Sequence, residues 1–287
     1  IMSLNIDFKN REALTITDFE FLSLFKKPNE KVYFRLIQEK KHVAKKIDCI
    51  LTLDNDLEYP LIQNIFIKYQ IQGYGVYFVV NSGGQEKNSI KRINAHFIDM
   101  DFGKVPKIDN GKLIKDSEGK IVYEYRNKEE IEEYKIAFLK KLENFKLIPN
   151  VIVETKNGFH VYWLLDLEKP QWLDVFTPLQ EKLIEHFAAL EERHEHADNN
   201  VKELNRVLRI INYQHLKNPK DPFTIKCIYL NTDVKYTQED IADAIGCNID
   251  ELVSNTKSTE IKPVTVRVET SNLQKESHKV HYPSEIQ

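Results

Sequence analysis

The stretch His-Phe-Ile-Asp-Met-Asp, residues 96–101, decides the fold and the site. It closes an apolar run with two carboxylates, Asp99 and Asp101, and Gly103 follows just beyond. Side chains two residues apart on a β-strand point to the same face, so the spacing predicts that both carboxylates project together. Fixed carboxylates repel each other unless a cation lies between them, and Mg²⁺ and Mn²⁺ prefer such oxygen ligands. The stretch predicts a strand with a divalent-cation site at its end; two solvated acids on an exposed strand end are the alternative.

A second cluster occupies residues 154–163, ETKNGFHVYW. Asn157-Gly158 between two apolar runs predicts a β-hairpin. The hairpin places Lys156 and His160 on either side of a tight turn, where both are expected to be free to face an anion. A histidine at such a position can also be purely structural, and it is the place of His160 between two acidic motifs that makes it a site candidate.

The third cluster begins at Asp198 and continues with Arg206, Arg209 and Lys217. The apolar residues around the arginines predict a strand that carries both of them. Two arginines three apart cannot share a face of a regular strand, so either a bulge or a strand end reorients one of them, or only one contacts phosphate and the other reaches a nucleic-acid strand. Acids for a metal, a histidine and lysine at a turn, and arginines on a strand are the parts that hold a metal-bound triphosphate.

Together these motifs resemble the archaeo-eukaryotic primase superfamily, most of all its primase-polymerase and plasmid- or phage-type replication-primase branches. That superfamily has an acid-x-acid strand, a short turn ending in a histidine, and a third acid that an arginine pair and a lysine often follow. The stretch GVYFVVNSGG, residues 75–84, also resembles the replication primases, and the resemblance spans roughly residues 70–230. One departure is Gly158, since members often carry serine two residues before the histidine.

The resemblance implies a template-directed DNA primase-polymerase, a nucleotidyltransferase that moves nucleotides from triphosphates to a 3′-hydroxyl. It implies that Asp99, Asp101 and Asp198 hold two divalent ions, Mg²⁺ or Mn²⁺, with His160 as a further catalytic residue. The nucleotide-binding residues that it implies are Lys156, His160, Arg206, Arg209 and Lys217. The implied fold is α/β (α+β), with an RRM-like antiparallel catalytic sheet, a second α/β lobe and a small C-terminal helical segment. Expected partners are nucleoside triphosphates and single-stranded or primed DNA, with a monomer favoured.

Two other classes of function stay open. Residues 151–156, VIVETK, also fit the apolar-acid-x-lysine element of metal-dependent nucleases, with Asp99, Glu154 and Lys156 as the site. That hypothesis leaves His160 and the arginine pair without a role, whereas the primase hypothesis leaves out only Glu154. The other alternative is a non-catalytic replication initiator or nucleic-acid-binding module, which would not need all three acids.

Composition sets the remaining expectations. The chain has 287 residues, 41% of them hydrophobic, and a net charge of −3, which is not typical of a protein that coats nucleic acid. Three scattered cysteines without a C-x-x-C pair, and no membrane-length apolar run, indicate a cytoplasmic protein with reduced thiols. The expected division is a catalytic domain over 1–234, a helical segment over 235–257 and a flexible tail over 258–287.

Periodicity and turn signals place the main elements. Helices are expected from a Thr17 or Asp18 cap to Phe25, and over residues 56–69, 128–145, 172–190, 237–246 and 249–253. Strands are expected over 32–38 and 74–80, joined to the first long helix through a charged connector. Two glycine turns within residues 109–125 predict an inserted hairpin, near the acidic strand in sequence.

Overall fold

The computed structural model describes residues 6–39, 46–53, 58–189, 198 and 201–256. Its α-helices are α1 (Asp18–Phe25), α2 (Tyr59–Ile71), α3 (Lys128–Glu143), α4 (Leu173–Ala189), α5 (Gln238–Ala244) and α6 (Ile249–Thr256). Its strands are β1 (Lys31–Gln38), β2 (Lys46–Thr52), β3 (Tyr74–Val79), β4 (Ala95–Asp101), β5 (Lys104–Pro106), β6 (Ile108–Asp109), β7 (Lys112–Leu113), β8 (Tyr123–Tyr125), β9 (Val151–Glu154), β10 (Gly158–Leu164), β11 (Val207–Arg209), β12 (Gln214–His215), β13 (Phe223–Thr224) and β14 (Lys226–Leu230). The fold is mixed α/β with antiparallel sheets, which confirms the expected class.

Sheet 1 is four-stranded and antiparallel, in the order β14-β9-β10-β4. Strands β9 and β10 form the hairpin that Asn157-Gly158 predicts, and β10 continues along β4 with Gly158 opposite Asp101. In the same register His160 lies opposite Asp99. Directly paired residues share a face, so the histidine and the first acid lie on one side of the sheet.

Each face of sheet 1 is covered. On one face His96 stacks on Phe176 of α4, with ring centroids 4.8 Å apart. The other face carries Tyr162, whose ring lies 5.0 Å from that of Phe25 in α1. Tyr162 and Trp163 are fully buried, as expected for core residues. Because both faces are covered, only the strand ends are left to form an open site.

Sheet 2 is also antiparallel, in the order β11-β3-β1-β2. Strand β2 corrects one expectation, because the sequence was interpreted there as a charged connector. Cys49 and Leu51 are buried in β2 while their neighbours are exposed or half-buried, so a short period-2 pattern lies among charged residues. The charged residues among the seven between the two strands outweigh that pattern when the sequence is read alone.

The two sheets share one hydrophobic core around α1. Phe25 contacts Phe78 of sheet 2 at 5.3 Å and Tyr162 of sheet 1 at 5.0 Å between ring centroids. Helix α1 has the capping box that begins at Thr17, where the Thr17 hydroxyl accepts from the Glu20 backbone N–H. The helix is therefore fixed at its start and packs between the sheets, which sets β3 and β11 beside the end of β4.

The peripheral elements also follow the sequence. Residues 104–125 form the expected insert, in which β5 pairs with β8 and β6 with β7. Its tip is a two-residue turn at Asn110-Gly111, with φ of 46° and 77°, a conformation that glycine adopts readily. Helices α5 and α6 form the expected pair; the domain boundaries stay predictions, and the tail over 258–287 lies outside the described residues. Within the described residues, no helix is long and apolar enough to span a bilayer.

Candidate active site

The two acids of the decisive stretch end β4 on one side of sheet 1. Asp99 and Asp101 alternate with buried Ile98 and Met100, so their carboxylates share a face as the spacing predicts. An Asp101 carboxylate oxygen accepts the Gly103 backbone N–H at 2.8 Å, which fixes the chain where the strand ends. The Asp99 side chain keeps 22% of its surface exposed, so the site opens to solvent on this side.

His160 faces Asp99 from the neighbouring strand. Its Nε2 lies 3.6 Å from an Asp99 carboxylate oxygen, and the Tyr162 hydroxyl lies 3.5 Å from its Nδ1. Burial, together with positive charge on Arg209 and Arg206, lowers the pKa of His160 to about 3. The ring is therefore neutral at neutral pH, and it acts as a hydrogen-bonding group and not as a cation.

The third acid lies beside the first. The Asp198 backbone N–H donates to the Asp99 carbonyl at 2.9 Å, and Arg206 donates to the Asp198 carboxylate at 2.9 Å. The structure describes Asp198 but not residues 190–197 before it or residues 199–200 after it. The contacts nevertheless join all three acidic positions at one end of β4.

The arginine pair reaches the site from sheet 2 by two routes. Arg206 precedes β11, in a turn where its backbone N–H donates to the Glu203 carbonyl at 3.0 Å. Arg209 lies within β11, is ion-paired with Glu39, and places its guanidinium 4.7 Å from the Tyr77 ring centroid. The expected strand end therefore lies between the two arginines, which is why their spacing of three does not separate them.

These charges determine the protonation of Asp99. The pKa of Asp99 is raised to about 7, mostly by burial and in part by repulsion from Asp198 and Asp101, against the opposing effect of Arg206 and Arg209. The arginines therefore do not fully compensate the acids. Negative charge is held in excess at the strand end, and a cation would relieve it.

One predicted nucleotide-binding lysine, Lys156, differs from expectation. Lys156 is not free to face an anion, because its Nζ donates to the Asp221 carbonyl at 2.6 Å and lies 3.1 Å from the Asp221 carboxylate. Lys128 shares that carboxylate at 2.9 Å. The expectation of a free lysine was wrong, since a partner from a distant loop cannot be read from the turn. Lys217 is exposed on the segment after β12, and its role stays a prediction.

Glu154, the acid of the nuclease hypothesis, lies away from Asp99. It pairs in register with Phe159, so it occupies the opposite face of sheet 1 from His160. Its buried carboxylate accepts from Arg11 and Lys135, both at 2.9 Å, and lies 3.2 Å from Lys226. Glu154 is thus neutralised in a structural ion cluster, and it shares no site with Asp99.

Three residues at the site escaped the sequence analysis. Glu39 and Tyr77 hold Arg209, with the Tyr77 hydroxyl donating to Glu39 at 2.9 Å. His215 is 8% exposed, neither of its ring nitrogens has a hydrogen-bond partner in the described structure, and burial lowers its pKa to about 3. Of these, only Tyr77 lies in a stretch that the resemblance marks; Glu39 and His215 carry no local signal.

The close approach of β10 to β4 explains why this chain has Gly158 at the position where superfamily members often have serine. A Cβ built on Gly158 would lie 1.8 Å from the Met100 carbonyl oxygen, far inside contact distance. The hairpin and β4 approach so closely at this pair that a side chain does not fit. A hydroxyl at this position is therefore incompatible with this pairing of β10 and β4.

The donor set suits a hard divalent cation, although it is incomplete as it stands. Across the parts of the chain that the structure describes, no three or more His, Cys, Asp or Glu side chains form a group that could hold a metal ion. Asp99 and Asp101 offer carboxylate oxygens on one face, whereas the Asp198 carboxylate is bonded to Arg206. Asp198 could join a metal only by exchanging that partner.

Comparison with known proteins gives three solved structures. No family model and no curated protein matches the chain. The AEP domain of the primase-polymerase (PrimPol) of cyanophage S-2L is 19% identical over 78% of this chain and 94% of its own, with a TM-score of 0.48. The primase RepB' is 11% identical, covering 84% of this chain and 66% of its own, at 0.46. Its catalytic domain with initiator DNA is 10% identical, covering 82% and 96%, at 0.44.

These structures are described as primases, the class of protein that the motifs resemble. All three TM-scores lie below 0.5. The function is therefore inferred from the residues at the end of β4.

Proposed function

We propose that this chain is a primase-type nucleotidyltransferase that transfers nucleotides from nucleoside triphosphates to the 3′-hydroxyl of a growing strand on a DNA template. One observation carries the proposal. Two acids and a neutral histidine from sheet 1 meet Asp198 and the arginine pair, Arg206 just before β11 and Arg209 within it, at the open end of β4. Acids alone would suit many metal enzymes, but arginines opposite them suit a bound metal-triphosphate.

Asp99 and Asp101 would hold divalent cations, with Asp198 as the third ligand once its carboxylate leaves Arg206. Mg²⁺ or Mn²⁺ bound there would lower the pKa of the attacking 3′-hydroxyl and neutralise charge on the triphosphate and the leaving pyrophosphate. The pKa of Asp99, which burial and then repulsion from Asp198 and Asp101 raise, supports this assignment, because a bound cation favours the ionised carboxylate.

The arginines would bind the triphosphate. Each charge-assisted arginine–phosphate contact is typically worth about 1.5–3 kcal/mol. Arg206 would exchange the Asp198 carboxylate for a phosphate, which at the same time releases Asp198 toward the metal. Arg209 is oriented by Glu39 and Tyr77, so it would present its guanidinium without first being ordered.

His160 would complete the phosphate contacts as a neutral donor. A neutral imidazole donates through one ring nitrogen, and Nε2 is the nitrogen on the Asp99 side. A donor aimed at an oxygen that gains charge during transfer stabilises the transition state more than the ground state. Its loss would therefore slow the reaction as well as weaken triphosphate binding.

The test is single-nucleotide primer extension with Mg²⁺ and, separately, Mn²⁺. We expect Asp99→Asn with Asp101→Asn to abolish incorporation, because the cations lose their charged ligands. Asp174→Asn with Asp233→Asn is the matched control: it removes two exposed acids far from β4 in sequence, and incorporation should not change.

Circular dichroism and thermal unfolding would establish that the β4 variant is folded. Wild-type extension by the folded β4 variant would overturn the proposal. Metal-dependent strand cleavage without incorporation by the wild type would favour a nuclease instead.

A further inference from the structure

The insert of residues 104–125 presents an exposed aromatic surface beside the acidic strand end. Tyr123 and Tyr125 lie two apart on β8, and Lys104 of β5 pairs with Tyr125. Residues two apart and residues directly paired share a face, so these three side chains lie on one side of the insert. Lys104, Tyr123 and Tyr125 are called the aromatic face below.

The aromatic face is unusually exposed for such residues. Tyr125 is 82% exposed and Tyr123 is 42% exposed, and the Lys104 ammonium lies 4.6 Å from the Tyr123 ring centroid. Of the ten large hydrophobic side chains exposed in the described residues, five lie in the insert: Ile108, Leu113, Ile121, Tyr123 and Tyr125. Single exposed hydrophobics are normal, but such a concentration in one small element marks an interaction surface.

The insert is anchored firmly at its base. Val105 is 4% exposed, and the Arg126 backbone N–H donates to the Gly103 carbonyl at 3.1 Å. The Arg126 guanidinium donates to the Phe102 carbonyl at 3.0 Å and lies 4.1 Å from the Tyr134 ring centroid. Because Phe102 and Gly103 directly follow Asp101, these bonds hold the aromatic face at a set position relative to the acids.

Charge identifies the kind of partner. Residues 104–125 contain five basic and four acidic side chains, whereas the whole chain carries a net charge of −3. Stacked aromatic rings beside lysines are the elements with which proteins bind unpaired nucleic acid, bases on the rings and phosphates on the ammonium groups. An apolar protein partner would not call for this local excess of basic residues.

We propose that the aromatic face binds the unpaired template strand next to the acidic site, with bases stacked on Tyr123 and Tyr125 and a phosphate on Lys104. This inference rests on the proposed function, since it names the surface that would hold the template. It adds a binding site outside the acids and arginines of the active site.

The experiment is fluorescence anisotropy with labelled oligothymidylate, without triphosphate and over a range of salt. Tyr123→Ser with Tyr125→Ser should weaken binding by about 30-fold or more, because stacking worth roughly 1–3 kcal/mol is lost at each of two bases. Lys104→Gln should reduce the slope of log affinity against log salt by about 0.7, the value for one phosphate contact on a single strand.

Two control variants match these changes. Ile67→Ala with Ile71→Ala removes two exposed apolar side chains from α2, and Lys169→Gln removes one exposed lysine beyond the opposite end of β4. Both should bind as the wild type does. Wild-type affinity in the double tyrosine variant, or equal competition by duplex DNA, would overturn the proposal, because stacking requires accessible bases.

The experiments distinguish failure of the polymerase assignment from failure of the template-binding proposal. Asp99→Asn with Asp101→Asn should bind oligothymidylate as tightly as the wild type while incorporating nothing. If the wild type binds through the tyrosines yet never incorporates, the template surface stands and the polymerase assignment falls. If incorporation occurs and the tyrosine variant binds normally, the polymerase assignment stands and the aromatic face does not hold the template.

Discussion

Asp99 is the residue at which the charges of both sheets meet. Its carboxylate lies in a partly buried position near two other acids, and two arginines only partly compensate them. The ionised side chain is therefore a cost to the folded protein without a cation. Function would account for keeping that cost, because a cation that binds here is attracted by the same excess of negative charge.

The pH dependence of stability follows from the pKa of Asp99, which rises from 3.8 to about 7 on folding. Below about pH 4 the group is protonated in both states and its charge does not affect stability. As the pH rises from about 4 to about 7, only the unfolded state loses the proton freely, so stability falls across this window. Asp99→Asn should therefore stabilise the metal-free protein at pH 8 by on the order of 2 kcal/mol, with the gain vanishing near pH 4.

Urea unfolding at a series of pH values with EDTA would measure this difference. Asp174→Asn, an exposed acid of α4, serves as the control and should show no such trend. A gain of the same size at pH 4 and pH 8 would contradict the explanation by charge, as would a loss of stability at pH 8.

At the scale of elements, patterns that repeat along one segment were predictable from the sequence. The i, i+2 acids of β4, the Asn-Gly hairpin and the capped helices each carry their signal locally. Strand β2 and the partners Glu39, His215 and Asp221 were not predictable. Their roles depend on which distant segments pack together, and one sequence without structure does not contain that information.

Glu154 is a case in which a local sequence motif suggested a site that the packing of the strands does not form. Its local motif fits a nuclease, but the register of β9 and β10 turns its side chain to the face away from Asp99. There it forms ion pairs with the buried cations Arg11 and Lys135, and Arg11 also pairs with Glu132. A motif read from spacing alone cannot tell which face of a sheet the residue will occupy when both faces are buried.

The pairing of β10 with β4 should be sensitive to a single methyl group. Gly158→Ala places a Cβ against the Met100 carbonyl, so the strands must separate at the position opposite Asp101. We expect a loss of about 3 kcal/mol in the free energy of unfolding, the upper end for overpacking. Primer extension by the folded fraction should also fall, because the acids and His160 would move relative to each other.

Gly111→Ala is the matched control for that substitution. It adds the same methyl group at the tip of the insert, where the space around it is open and only the φ of 77° opposes it. Its cost should be about 1–2 kcal/mol, with incorporation intact. Equal losses in the two variants would show that contact with Met100 does not control the pairing.

At the scale of the whole molecule, the site exists only where two sheets meet. Sheet 1 supplies Asp99, Asp101 and His160, sheet 2 supplies Arg209, and Phe25 packs against both sheets in the core between them. A ligand that bridges acids and arginines should therefore stabilise both sheets together, although their strands are far apart in sequence.

Hydrogen exchange tests this coupling. Adding Mg²⁺ with a non-hydrolysable nucleoside triphosphate should slow amide exchange in β4 and β10 of sheet 1 and in β3 and β11 of sheet 2. The Arg209→Ala variant should lose protection mainly in sheet 2, since it removes that sheet's contact with phosphate. Protection confined to sheet 1 in the wild type would mean that the ligand does not reach the arginines.

The alkylation of two buried cysteines can report independently on the opening of the two sheets. Cys49 lies in β2 and Cys227 in β14, and burial raises the pKa of each thiol to about 11. Because the thiolate is the reactive form, an alkylating reagent at neutral pH should modify each cysteine only when its own strand opens. Cys247 is partly exposed, so its rate of alkylation can serve as the reference for a thiol that is not buried in a strand. The natural chain thus carries one chemical reporter in each sheet, so mass spectrometry of alkylated peptides can time the opening of the two halves without any added label.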